Sequence, residues 1–168
     1  MQKDNIILIG MMGSGKTSVG LEISRHYGFN FIDLDGQIEK KFGKISDIFK
    51  NSGENHFREL ETEELKSLIG VEKTILSTGG GTPLKEENQE ILNKIGKVFY
   101  LSTSAGTIYE RIKNQNHRPL LATCDPKKTI EEILSKRIGI YEKIGEKIIT
   151  DNKIPKQIAE EIYEKFNS

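Results

Sequence analysis

Gly10-Met11-Met12-Gly13-Ser14-Gly15-Lys16-Thr17 follows the short apolar run at residues 5–9 and opens a segment of helical periodicity at residues 16–27. The eight residues match G-x-x-x-x-G-K-[ST] at every fixed position. Glycines let backbone amides turn inward around phosphate oxygens, where a Cβ would block the turn or the approach. A helix starting near Lys16 adds the positive end of its dipole. Lys16 supplies a point charge to the β and γ phosphates, and the Thr17 hydroxyl is a ligand for Mg²⁺. With a strand before it and a helix after it, the loop predicts binding of a nucleoside triphosphate with its metal. It does not say what is done with the triphosphate.

Working outward, short apolar, β-branched runs at 5–9, 30–33, 74–77, 97–101 and 147–150 read as strands. Most are apolar throughout, as expected of strands covered on both faces. Helical patterns fall between and after them, at 16–27, 35–42, 54–69, 86–95, 104–113, 129–144 and 155–166. Thr129 with Glu132 reads as a capping box, and Pro155 suits a first helical turn. The alternation predicts one α/β domain over residues 1–168, a parallel sheet sandwiched by helices. Ligands of such sheets bind beyond the carboxyl ends of the strands.

Bulk properties narrow the partners. Lys plus Arg balance Asp plus Glu at 25 each, so there is no global pull toward nucleic acid or an anionic membrane. Cys124 is the single cysteine, which excludes an intramolecular disulfide and suits a reducing compartment. No run approaches the roughly 20 apolar residues of a membrane span, and the apolar run before Lys16 is too short for a signal peptide. A cytoplasmic domain is expected.

Among users of this loop, switch GTPases need an N-K-x-D motif. The nearest string, Asn152-Lys153-Ile154-Pro155, has proline where the aspartate belongs. The metal-holding aspartate usual after the third strand is also missing, since Ser77-Thr78 stand there. Asp33-Leu34-Asp35 offers two carboxylates after the second strand instead. One could face the metal's waters and the other an acceptor hydroxyl, or the pair could simply begin a helix.

Arg137 lies on a stripe with Ile130, Ile133, Leu134, Ile138 and Tyr141, so its charge must be paired or must grip an anion. Arg58 has Glu61 three residues on, within pairing range on a helix. Either arginine alone reads equally well as a structural ion pair. Together, in a domain that binds ATP, they suggest an acceptor with a carboxylate. Gly79-Gly80-Gly81 after the third strand suits close backbone approach to a ligand, or a flexible turn. Residues 114–128 carry two prolines and read as a mobile lid, where Arg118 could neutralise charge on the transferring phosphoryl group and help exclude water. His26, His56 and His117 show no metal-ligand spacing. Tyr109 and Tyr141 read as core, and Lys40-Lys41 and Lys127-Lys128 as solvated faces.

GMMGSGKT, DLDGQIEKKFGK, IFKNSGENHFRELE, STGGG, NHRPLL and RIGIY occur in the order of the shikimate kinases, and the chain resembles that family over nearly its whole length, with the segment at 43–49 one residue shorter than the common pattern. The resemblance implies a three-layer α/β/α P-loop kinase fold with a five-stranded parallel sheet, like the nucleoside monophosphate kinases. It also implies a substrate-binding insert near 34–61 and a lid near 114–128. Gly13, Ser14, Gly15, Lys16, Thr17 and Ser18 would wrap the ATP phosphates, with Arg111 on adenine and Arg118 reaching from the lid. Thr17 and Asp33 would hold Mg²⁺, the latter through water. Asp35 would bind the shikimate hydroxyls, with Lys16, Asp35 and Arg118 as the catalytic set. Arg58 and Arg137 would hold the shikimate carboxylate, Gly80 would offer its amide, and Phe49 and Phe57 would wall the pocket. The product would be shikimate 3-phosphate and the protein a monomer. Another small-molecule kinase, for gluconate or a nucleotide, and a non-catalytic ATP-binding domain are the competing readings.

Overall fold

In the computed structural model, which describes residues 3–115 and 122–168, the run before the phosphate loop forms strand β1, Ile6–Ile9, buried along its length. Side chains alternate across a strand, so Ile6 and Leu8 enter one core and Ile7 and Ile9 the other. The sheet adds β2 (Asn30–Asp33), β3 (Thr74–Ser77), β4 (Lys97–Ser102) and β5 (Glu146–Ile149), all parallel. The order is β2-β3-β1-β4-β5. Central β1 and β3 are buried throughout, whereas the edges β2 and β5 keep exposed residues.

Helices α1 (Lys16–Tyr27) and α7 (Pro155–Asn167) cover one face, joined by the rings of Tyr27 and Tyr163 stacked 3.6 Å apart. The other face carries α2 (Leu34–Phe42), α3 (Ile45–Ser67), α4 (Glu86–Ile95), α5 (Ala105–Ile112) and α6 (Pro126–Ile144). The layers and the five-stranded parallel sheet are those expected. From the neighbouring strands β1 and β3 the chain crosses in opposite directions, from β1 toward β2 and from β3 toward β4. A crevice therefore opens above the carboxyl end of β1, where the phosphate loop lies. At the opposite end the buried Asn5 pins the strands. Its Nδ2 donates to Val71 O (2.6 Å) and Ile95 O (2.9 Å), and its Oδ1 accepts from Thr74 N (2.9 Å).

Two local expectations need correction, and one element was missed. The helix expected from residue 54 is present, but a further helical stretch from Ile45 precedes it, and the two meet at a kink at Gly53, whose φ of 84° and ψ of 169° are not helical. The capping box at Thr129 is displaced by a stronger start. Pro126 opens α6, and the Asp125 side chain accepts from Lys128 N at 3.1 Å. Lys41 is more than a solvated charge: its Nζ meets the buried Glu64 carboxylate at 2.6 Å and ties α2 to α3.

Candidate active site

The phosphate loop turns on Gly13 (φ 76°) and Gly15 (φ 95°), both in the left-handed region that side chains disfavour. Gly15 caps α1 without any side chain donating or accepting there, and the first turn of α1 holds no acid. The amides that face a phosphate are thus not claimed by a carboxylate. Lys16 is buried, its Nζ donating to Gly10 O (2.7 Å) and Met11 O (2.8 Å). Gly13, Gly15, Lys16, Thr17, Ser18, Asp33 and Arg111 line a cavity of about 520 Å³. Ser14 does not line it: the residue is fully buried, and its amide donates to Met11 O at 3.1 Å. Arg111 ties the phosphate loop to the segment after β5, donating to Gly13 O (3.2 Å) and Thr150 O (3.4 Å). That segment is fastened to the start of α5 through Asp151, which accepts from the Ser104 hydroxyl (2.6 Å) and from the Thr107 hydroxyl.

A second cavity of about 490 Å³ adjoins the first, and Met12, Asp35, Gly79 and Gly80 line both. Its remaining walls include Phe49, Phe57, Arg58, Glu61 and Arg137. The Phe49 and Phe57 rings lie 5.0 Å apart, and the Arg58 guanidinium sits over Phe57 at 5.3 Å. Arg58 Nη1 donates to Glu61 Oε2 at 2.6 Å, and Glu61 is held in turn by the Thr82 hydroxyl at 2.7 Å. Arg137 differs. Among the described residues it meets no carboxylate within 4.0 Å, and its Nη1 points to Met11 Sδ at 3.9 Å. The two arginines that the sequence placed far apart therefore share one cavity, and one of them lacks an internal counter-charge there.

The glycine run is explained by space rather than by flexibility. A Cβ on Gly79 would stand 3.1 Å from both Asp35 Oδ1 and Glu61 Oε1, and one on Gly80 3.2 Å from Arg137 Nη1. On Gly81 it would collide with the Arg58 guanidinium at 2.5 Å. Each glycine leaves room for a different side chain of the second cavity.

Asp33 begins α2, yet its carboxyl makes no capping hydrogen bond of good geometry. Burial raises its pKa, opposed by the nearby amides of Asp35 and Gly36 and by Lys16. Asp35 is pushed up to about 6, first by burial and then by the charges of Glu61 and Asp33; Lys16 and Arg58 pull the other way. Its Oδ1 is buried without a hydrogen-bond partner among the described residues. An unsatisfied buried acceptor at the junction of two cavities suits a hydroxyl donor.

A hydroxyl and a carboxylate of the first cavity, Thr17 and Asp33, offer hard oxygens that fit Mg²⁺ and would hold it there. No cluster of three or more His, Cys, Asp or Glu that could hold a metal occurs among the described residues. Arg118 lies outside the described residues, as does most of the front half of the expected lid. The sequence reading missed Thr82, which no motif marks, and the Tyr141 hydroxyl, which donates to Gly80 O at 2.6 Å.

Two cavities meeting at one carboxylate are what direct transfer between two bound small molecules requires, and on this sheet they define a small-molecule kinase of the P-loop type. The chain belongs to the shikimate kinase family, whose model, described as "SKI: Shikimate kinase", matches residues 12–167. A shikimate kinase of Thermodesulfovibrio yellowstonii is 42% identical over 163 residues, covering 96% of this chain and 94% of the relative. The solved shikimate kinase of Acinetobacter baumannii, in complex with shikimate, is 34% identical with a TM-score of 0.91, over 98% of this chain and 93% of that one. A gluconokinase from Sinorhizobium meliloti covers 99% of this chain and 93% of its own with a TM-score of 0.68, but at 16% identity it shares the fold alone.

Proposed function

We propose that the chain transfers the γ-phosphoryl group of Mg-ATP to the 3-hydroxyl of shikimate, giving ADP and shikimate 3-phosphate on the route to chorismate and the aromatic amino acids. The observation that carries this reading is Asp35, whose carboxyl lines both cavities and is the meeting point of donor and acceptor. Arg58 and Arg137 hold the shikimate carboxylate, and its hydroxyls turn toward Asp35 and the amide of Gly80. The ring lies against Phe49 and Phe57.

In the transfer the acceptor oxygen forms a bond to the γ-phosphorus while the bond from that phosphorus to the β,γ-bridging oxygen breaks. The hydroxyl proton passes to the Asp35 carboxylate. Lys16, with Arg118 from the lid, offsets charge on the transferring group, and the amides of Gly13, Gly15 and Ser18 with Ser14 behind them hold the phosphates in line. Arg111 faces adenine. Magnesium held by Thr17 and, through water, by Asp33 would neutralise phosphate charge. Residues 34–61 serve as the acceptor-binding insert and 114–128 as the lid. The same reading makes the chain a cytoplasmic monomer, on the family resemblance alone.

Phosphorus NMR of the reaction mixture tests the assignment. One new phosphomonoester signal, coupled to the proton on carbon 3 of shikimate, is expected. Inorganic phosphate as the only product beside ADP, or ester at another hydroxyl, would contradict it.

A further inference from the structure

Tyr141 looks like an ordinary core residue in the sequence, and its ring is one. It is fully buried and lies 5.1 Å from the ring of Tyr100. Its hydroxyl, however, leaves the core and donates to the carbonyl of Gly80 at 2.6 Å, linking residues 61 positions apart. Resting on the acceptor reading above, we propose that Tyr141 is a positioning residue of the acceptor site, its hydroxyl fixing the Gly80 backbone beside Arg137 so that amide and guanidinium meet one ligand.

Three consecutive glycines have the widest backbone freedom a chain can have, so their conformation must be imposed from outside. The run's own turn supplies part of this, through Thr82 N to Gly79 O (3.2 Å) and Leu84 N to Gly81 O (3.1 Å). The carbonyl between them, that of Gly80, is taken by Tyr141, which stands on the helix that carries Arg137 four residues earlier. One helical turn brings positions i and i+4 to the same face. The bond therefore joins the loop after β3 to the one helix whose arginine the loop must meet, and the gap is tight: a Cβ on Gly80 would lie 3.2 Å from Arg137 Nη1. Burial, ahead of all other causes, pushes the Tyr141 pKa up to about 12, so the hydroxyl keeps its proton and remains a donor across the working range. Gly80 lines both cavities, so its displacement would be felt by the acceptor directly.

The test is Tyr141→Phe, which removes one oxygen and keeps the ring, measured beside Tyr100→Phe. Tyr100 belongs to the same buried pair, but its hydroxyl makes no well-formed hydrogen bond among the described residues. Steady-state constants for shikimate and ATP are measured with calorimetric titration of shikimate into each folded protein. The loss of one hydrogen bond predicts that Tyr141→Phe raises both KM and Kd for shikimate about fivefold. KM for ATP should stay within error, and Tyr100→Phe should change neither. The proposal is overturned if shikimate binding to Tyr141→Phe matches wild type. It is equally overturned if both variants weaken alike, or if the ATP and shikimate constants rise together, since those are the marks of a loosened core. Wild-type protein that neither binds nor phosphorylates shikimate would overturn the acceptor reading along with it.

Discussion

Asp35 and Glu61 face each other across Gly79, where an added Cβ would stand 3.1 Å from a carboxyl oxygen of each. Glu61 is engaged by Arg58 and Thr82, whereas Asp35 Oδ1 has no hydrogen-bond partner among the described residues. Burial first, and then the charges of Glu61 and Asp33, push the Asp35 pKa up to about 6. The residue best placed to accept a proton from the acceptor thus has its pKa moved toward neutrality.

The pH profile should show this. Asp35 must be ionised to accept the proton, so kcat/KM for shikimate should rise with pH through about 6 and level off above it. In Asp35→Asn, kcat should fall at least ~100-fold and the limb near 6 should vanish. A limb retained in the variant would assign it to another group.

The same shift has a stability sign. A carboxyl raised from 3.8 to about 6 on folding holds its proton longer in the native state, so its contribution to stability is greatest at low pH and is lost as pH rises through about 6. Asp35→Asn, which never carries the charge, should gain in melting temperature relative to wild type at pH 8. That gain should shrink toward pH 4. Melting curves at the two pH values check it, and an equal difference at both would show that Asp35 does not titrate in this window.

Replacing Glu61 with Gln keeps a partner for Thr82 but removes the charge beside Asp35 and opposite Arg58. The limb near 6 should move to lower pH, because Glu61 is among the causes that raise Asp35. Stability should fall by about 2 kcal/mol, the scale of a hydrogen bond to a charged group. Denaturant titration and a pH–rate profile measure both.

Gly81→Ala places a methyl 2.5 Å from the Arg58 guanidinium, at backbone angles alanine accepts. The far end of Arg58 can swing away, so the fold should survive while KM for shikimate rises about tenfold, the loss of one charge-assisted contact. An unchanged KM, measured with ATP saturating, would separate Arg58 from the acceptor.

Lys16→Ala and Arg137→Ala should divide the two cavities. The first should lower kcat with little change in KM for shikimate; the second should weaken shikimate binding at least ~10-fold and leave ATP binding alone. Calorimetry with each ligand separately reads the split, and a shared loss of both ligands in Arg137→Ala would refute its assignment.

Much of this was legible before the fold. The phosphate loop is readable because its chemistry is local: eight consecutive residues supply the turn, the amides and the charge. The sheet's layers followed from apolar runs spaced by helical patterns. Arg137 declared itself as a charge on an apolar stripe. The order of the strands was not legible, since short apolar runs carry no address for their neighbours. The helical stretch from Ile45 was hidden by Gly53, whose non-helical backbone separates it from the helix that follows. For Gly79, Gly80 and Gly81, closeness to something was expected, but the partners, Asp35, Arg137 and Arg58, come from distant parts of the chain. Thr82 and the Tyr141 hydroxyl act through single long-range hydrogen bonds, which leave no pattern in a sequence.

ADP release in Mg-ATP, followed with and without shikimate and with gluconate or a nucleoside monophosphate in its place, is the most direct test. The account predicts turnover that depends on shikimate and saturates with it, and background rates with the other acceptors. Equal release with and without shikimate, or turnover driven by gluconate or a nucleotide instead, would contradict it.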